Sequence, residues 1–181
     1  MTLSIKQKGV LKGMAMAMLT SVIVIVYAIN ADPFSYAQNS QVSDRLSILG
    51  LSLILPILLL IASIGRLAKY RFFSPEDIDG SGLTSATNTA LILQSLLQNT
   101  LEQLVIAIGV YSAWCILMPS VWLSAVPLCS VLFVIGRILF FKGYNQGAAT
   151  RAFGFALTFY STIIMFLVLL GYQLMHWISS F

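Results

Sequence analysis

Five separated apolar runs constrain this chain more than any other feature of it. They cover roughly residues 12–29, 46–65, 84–117, 121–141 and 152–175. A helix rises ~1.5 Å per residue, so about 20 residues cross the ~30 Å of bilayer hydrocarbon, and each run can supply them. Inside hydrocarbon no water satisfies backbone N–H and C=O groups, so spanning segments close their hydrogen bonds internally as helices. The chain is 59% hydrophobic and 9% charged, with a mean hydropathy of +0.92. Those values lie outside the soluble range and inside the membrane class. The expected fold is therefore all-α and integral to the membrane, with the lipid bilayer as first partner.

The run 84–117 is longer than a span needs. As one helix it would extend about 50 Å and project from the bilayer. Thr84, Ser85, Thr87, Asn88 and Thr89 give that end the polarity it then requires.

Charge predicts the orientation. Lys6, Lys8 and Lys12 precede the first run; Arg66, Lys69 and Arg71 follow the second; Arg137, Lys142 and Arg151 bracket the turn after the fourth. Of ten basic residues only Arg45 falls on the other side. The positive-inside rule then puts the N-terminus in the cytoplasm and the C-terminus outside, as in a bacterial inner membrane. The pI of about 9.2 reports this asymmetry. No basic run interleaved with aromatics points to nucleic acid, and no such partner is expected.

The first run admits two readings. A basic start, an apolar stretch and "SYA" before Gln38 fit a secretory leader cleaved near Ala37. Against this, residues 13–29 exceed the usual apolar core of a leader and Pro33 interrupts the approach to the cleavage site, which favours a retained helix. The connection 30–45 is polar, with Asp32, Pro33 and Asn39 as turn formers. In the second connection "SPED" reads as a helix start, with Ser74 as cap and Pro75 in the first position. "DIDGSG" has a fragment of calcium-loop spacing without the later ligands, so an acidic turn is the expectation. Met118 and Pro119 end the third span, and Trp122 suits the interface. Cys115 and Cys129 have no metal or redox spacing and read as small packing residues. His176, beside Trp177, reads as an interfacial anchor.

The candidate site begins with "LLQNTLEQLV" at residues 96–105. Residues three and four apart share a helix face, and Asn88, Ser95, Asn99 and Glu102 follow that spacing, with Gln98 at the edge. The same line meets Ile106 and, beyond it, the small residues Gly109 and Ala113, which let helices approach, so this face is expected to point into a bundle. Asn99 and Gln98 alone could be interhelical hydrogen-bonding residues. Glu102 needs a cation or a wet pocket, because an unpaired carboxylate at membrane depth costs several kcal/mol or takes up a proton. "GRILFFKGYNQGAATR" offers Arg137, Lys142, Tyr144 and Arg151 around one short turn, although simple flanking by the positive-inside rule also accounts for basic residues there.

The "NTLE" segment and the frame R-x-x-x-F-x-G-Y-x-x-x-x-x-x-R in "RILFFKGYNQGAATR" together resemble the MAPEG family, the membrane-associated proteins of eicosanoid and glutathione metabolism. The resemblance covers about residues 46–171. It implies a left-handed four-helix transmembrane bundle over 46–181, with residues 1–45 adding one N-terminal transmembrane helix and an external connection. It further implies a homotrimer that binds glutathione between subunits near the cytoplasmic side, for transfer to, or peroxidase action on, a small lipophilic substrate. By resemblance, Asn99 and Glu102 would hold the peptide backbone and amino group, Tyr144 a hydroxyl contact, Arg137 a charge contact, and Arg151 would face the thiol as catalytic residue. Ser95, Phe140 and Gln103 depart from the family pattern, where an arginine, an aromatic hydroxyl and a different neighbour to the acid are common. Those losses leave a non-catalytic MAPEG-like scaffold or binding protein as the second expectation. Arg66, Lys69 or Arg71 are the candidates to compensate, Lys69 first among them. A small transporter, suggested by Glu102 alone, lacks the broken helices and repeats of such proteins.

Overall fold

A computed structural model describes residues 3–39, 41–80 and 82–180; Ser40 in the first connection and Ser81 in "DIDGSG" lie outside it. Five long helices account for it: α1 (Ile5–Ala31), α2 (Val42–Phe72), α3 (Asn88–Leu117), α4 (Ala125–Gly143) and α5 (Ala148–Ile178). All five are long and apolar enough to cross a membrane. The helices outrun the apolar runs at several ends because hydrogen-bonded turns continue into the polar interface.

Two expectations about the second connection change. The third helix begins at Asn88, with Thr87 as its cap, so residues 84–86 belong to the connection. "SPED" forms turns, not a helix. Asp77 explains both. Its carboxylate accepts from the Thr87 backbone N–H at 2.9 Å, the Thr87 hydroxyl at 2.6 Å and the Ser74 hydroxyl at 3.0 Å. The acid expected to begin a local helix instead anchors the start of α3, ten residues on. The Thr87 hydroxyl also accepts from the Ala90 N–H, which caps the helix.

Within the bundle, α5 packs on α1 and α4, while α2 packs on α3 and α4. The α4–α5 crossing is close. A Cβ on Gly154 would lie 2.4 Å from the Phe140 backbone nitrogen, and one on Gly143 would lie 2.8 Å from the Thr150 carbonyl oxygen. Small residues let the two backbones touch, which in lipid favours association by dispersion contacts. The turn between them bends at Gly147, with φ +106°, where an L side chain is strained.

Backbone groups that the helices leave open find partners. Pro56 sits inside α2 and removes the N–H that would bond the Ser52 carbonyl. The Ser130 hydroxyl of α4 donates to that carbonyl instead. At the other end, the Arg45 guanidinium donates to the Cys115 and Met118 carbonyls, both at 2.9 Å, and to the Ser120 hydroxyl at 2.8 Å. It thereby covers the C-terminus of α3, where a cation also opposes the helix dipole. The main core lies in that half of the bundle, around Tyr111, Trp114, Leu123 and Phe133, and it includes both cysteines.

Candidate functional site

At the opposite end from Arg45 lies a cleft of about 720 Å³. One bank is α3, with Gln94, Ser95, Gln98, Asn99 and Glu102. Phe140 of α4 and Tyr144, the residue that ends it, form the floor with Ala148, Arg151, Ala152 and Phe155 of α5. Val10 and Met14 of α1 complete the lining. The polar residues come mainly from α3 and the apolar ones from α1, α4 and α5.

The α4–α5 turn sets the order of the floor. Close approach at Gly143 brings the first turn of α5 back against the end of α4. The Arg151 guanidinium carbon then stands 4.4 Å from the Tyr144 ring centroid. Tyr144 meets Phe140 edge to face at 5.4 Å, and Arg137 stacks on Phe140 at 4.5 Å. Cation and ring alternate along this ladder, each stacked pair contributing ~0.5–2 kcal/mol. It fixes the direction of Arg151 without neutralising its charge.

Arg137 is fully buried and does not line the cleft. Its Nη1 donates to Asn99 Oδ1 at 2.7 Å and its Nε donates to Thr158 Oγ1 at 3.3 Å. Nη2 has no hydrogen-bond partner among the described residues. Since the carbonyl oxygen of Asn99 is engaged from behind, its amide NH2 is the group left for the cleft. Glu102 is exposed, and its Oε1 accepts from Gln98 Nε2 at 2.8 Å, one helical turn back. No hydrogen bond joins Glu102 to Arg151, so one acid and one cation face the cavity unneutralised by each other.

Of the residues singled out in the sequence, Asn99, Glu102, Tyr144 and Arg151 share this cleft, and Arg137 stands behind it. Lys69 does not. It lines a separate cleft of about 780 Å³ with Arg66, Tyr70 and Thr87. From that basic end of α2, Arg71 approaches the site instead: its Nη2 donates to Gln94 Oε1 at 3.1 Å, and Gln94 lines the cavity. Ser95 and Phe140 line it too, whereas Gln103 is buried away from it.

The polar stripe faces differently from expectation along its length. Ser95, Glu102, Ile106 and Gly109 are exposed in the single chain, and α3 buries Leu96, Thr100, Gln103, Leu104 and Ala107 instead. The chain's own helices cover the adjoining face because α2 lies there. Sequence reasoning missed Val10, Met14, Gln94 and Phe155. Gly9 and Gly13, four apart in α1, are the signal that could have indicated a close helix contact there.

These features define an integral membrane helical bundle with an amphipathic cleft at one end. A family model describing the MAPEG family matches residues 46–171, and the chain belongs to that family. The match runs from α2 into α5 and leaves α1 outside. No curated protein and no solved structure matches the chain.

Proposed function

We propose that the protein is a thiol-dependent transferase or peroxidase that acts in the bilayer, with glutathione as thiol co-substrate and Arg151 stabilising the thiolate. The observation that carries this reading is the convergence of Asn99, Glu102, Tyr144 and Arg151 on one cavity with an apolar side. Glutathione has two carboxylates, one ammonium, two amides and a thiol. Glu102 suits the ammonium, the Asn99 amide and Gln98 suit the peptide groups, and Arg151 suits an anion. The volume falls within the ~300–1,000 Å³ common for small-molecule sites.

The chemistry asked of the protein is modest. A free thiol titrates near 8.5, and lowering that to about 6.5 takes ~2.7 kcal/mol of preferential thiolate stabilisation. A guanidinium held over Tyr144 in a cleft bounded by apolar residues supplies stabilisation of that order. The thiolate sulfur then attacks an electrophilic carbon; a C–S bond forms and the leaving group departs with its electron pair. With a hydroperoxide the sulfur attacks oxygen, the O–O bond breaks, and the alkoxide takes up a proton. The resulting sulfenic acid condenses with a second thiol to give disulfide and water.

The reading includes a homotrimer in a bacterial-type inner membrane, N-terminus inside, with α1 retained beside a family domain at 46–181. Replacement of Arg151 by Ala is expected to remove the thiolate absorbance near neutral pH that glutathione shows on the wild-type protein. An undiminished signal in Arg151→Ala rejects the role of Arg151.

One observation favours a second reading. Among the described residues lining the cleft, Arg151 is the only cation, against two carboxylates and a thiolate. At ~1.5–3 kcal/mol for each charged hydrogen bond, the losses at Ser95 and Phe140 lower affinity by orders of magnitude. A non-catalytic MAPEG scaffold or binding protein predicts no calorimetric binding of glutathione at millimolar concentration by an intact oligomer.

A further inference from the structure

The cleft has a wall that the family match does not contain. Val10 and Met14 belong to α1, which precedes residues 46–171. Their position follows from how α1 docks. A Cβ on Gly9 would stand 2.8 Å from the Ala149 Cβ, and one on Gly13 would stand 3.0 Å from the Phe153 backbone nitrogen. Two glycines one turn apart therefore bring α1 into backbone contact with α5 beside Arg151 and Ala152. The residue after each glycine, Val10 and Met14, turns to the cleft. Further along, Ala17, Ser21, Ile25 and Ala28 are buried on the same side of the helix. The contact is thus continuous and holds the wall in place.

The opposite bank is polar and does not close on this wall. The helix α1 packs on α5 and α4 but makes no extended contact with α3. Glu102 and Asn99 on α3 thus face Val10 and Met14 across the cavity. Outward-facing residues of α1 such as Leu11, Leu19 and Ile23 are exposed apolar groups suited to lipid. The cleft accordingly lies between a polar bank and a hydrocarbon bank within the depth of a spanning helix.

We propose that α1 is the specificity wall of this site. It selects an amphipathic ligand whose polar end lies at Glu102 and Arg151 and whose unbranched hydrocarbon part lies along Val10 and Met14. This inference rests on the thiol-dependent reading above and assigns its lipophilic substrate class. Each methylene moved from water to such a wall is worth roughly a fourfold gain when fully covered. A half-open cleft therefore implies about tenfold or more across a short alkyl chain.

S-alkylated glutathiones of increasing chain length test this by calorimetry on the full-length protein in detergent. The wild type is expected to bind S-hexylglutathione at least about tenfold more tightly than S-methylglutathione. Val10→Trp fills the wall and is expected to cost S-hexyl affinity at least about tenfold more than S-methyl affinity, which abolishes that preference. Met14→Ala, which adds no bulk, is expected to reduce the preference several-fold. Leu11→Trp, on the lipid side of the same helix, is expected to leave it unchanged. Equal effects on both ligands, or a preference that survives both Val10→Trp and Met14→Ala, overturn the wall and leave the thiol site standing. A wild type that binds neither ligand overturns both readings.

Discussion

Arg137 carries a full charge into a position with no exposed surface, and its surroundings assign it a task distinct from ligand contact. Removing such a charge from water costs several kcal/mol after relaxation. What opposes that cost is the Asn99 oxygen, the Thr158 hydroxyl and the Phe140 ring, with one nitrogen unpartnered among the described residues. The bond to Asn99 orients an amide of the polar bank from behind the cleft. Arg137→Met is therefore expected to weaken glutathione binding by about 10- to 100-fold, the range of ~1.5–3 kcal/mol for a charged hydrogen bond. Its unfolding temperature should hold or rise, since an apolar chain of similar length relieves the buried charge. Asn99→Ala should show a comparable loss, and the double variant no more than the larger single one. Additive losses would mean that the two residues act separately. The helix period alone put Asn99 on a face with Glu102. That Arg137 stands behind Asn99 was not legible, because spacing along α4 says nothing of which neighbour each residue meets.

At the scale of elements, spans were legible and junctions were not. Apolar length identifies a membrane helix because the bilayer acts on every residue of the run alike. A junction depends instead on one side chain reaching across chain distance. Asp77 is such a case: its sequence context fits a local helix start, while its bonds go forward to Thr87. Hydrogen bonds from Thr87, first from the hydroxyl and then from the backbone, with a further one from Ser74, hold its carboxyl below the usual value of 3.8. A carboxyl depressed on folding contributes stability that is full above the unfolded value. That contribution is lost as pH falls through the lower folded value. The wild type should thus lose part of its stability only below about pH 4. Asp77→Asn should unfold at lower temperature near neutrality and lack that acid-side decline. Thermal melts in detergent from pH 6 to pH 3 measure both, and parallel profiles for the two proteins would remove Asp77 from the anchor.

For the whole molecule, the uncovered part of α3 is the informative surface. Ile106 and Gly109 are exposed on a line continuing from Glu102, which is partly covered only further on, where Ala113 is half-buried against the core. Under the proposed trimer this line meets a second copy. Gly109→Trp should then dissociate the oligomer in native mass spectrometry while helix content by circular dichroism is kept. Retention of the wild-type oligomer would move the contact elsewhere. The sequence by itself determined five membrane helices, and the family frame within them, since hydrocarbon imposes length and polarity on each segment independently. Only the tertiary structure decided that α1 lies against the cleft, that Lys69 lies in another one, and that Arg137 supports Asn99 from behind. The first of these turns on close approaches at Gly9 and Gly13, where a missing Cβ acquires meaning only from the helix opposite.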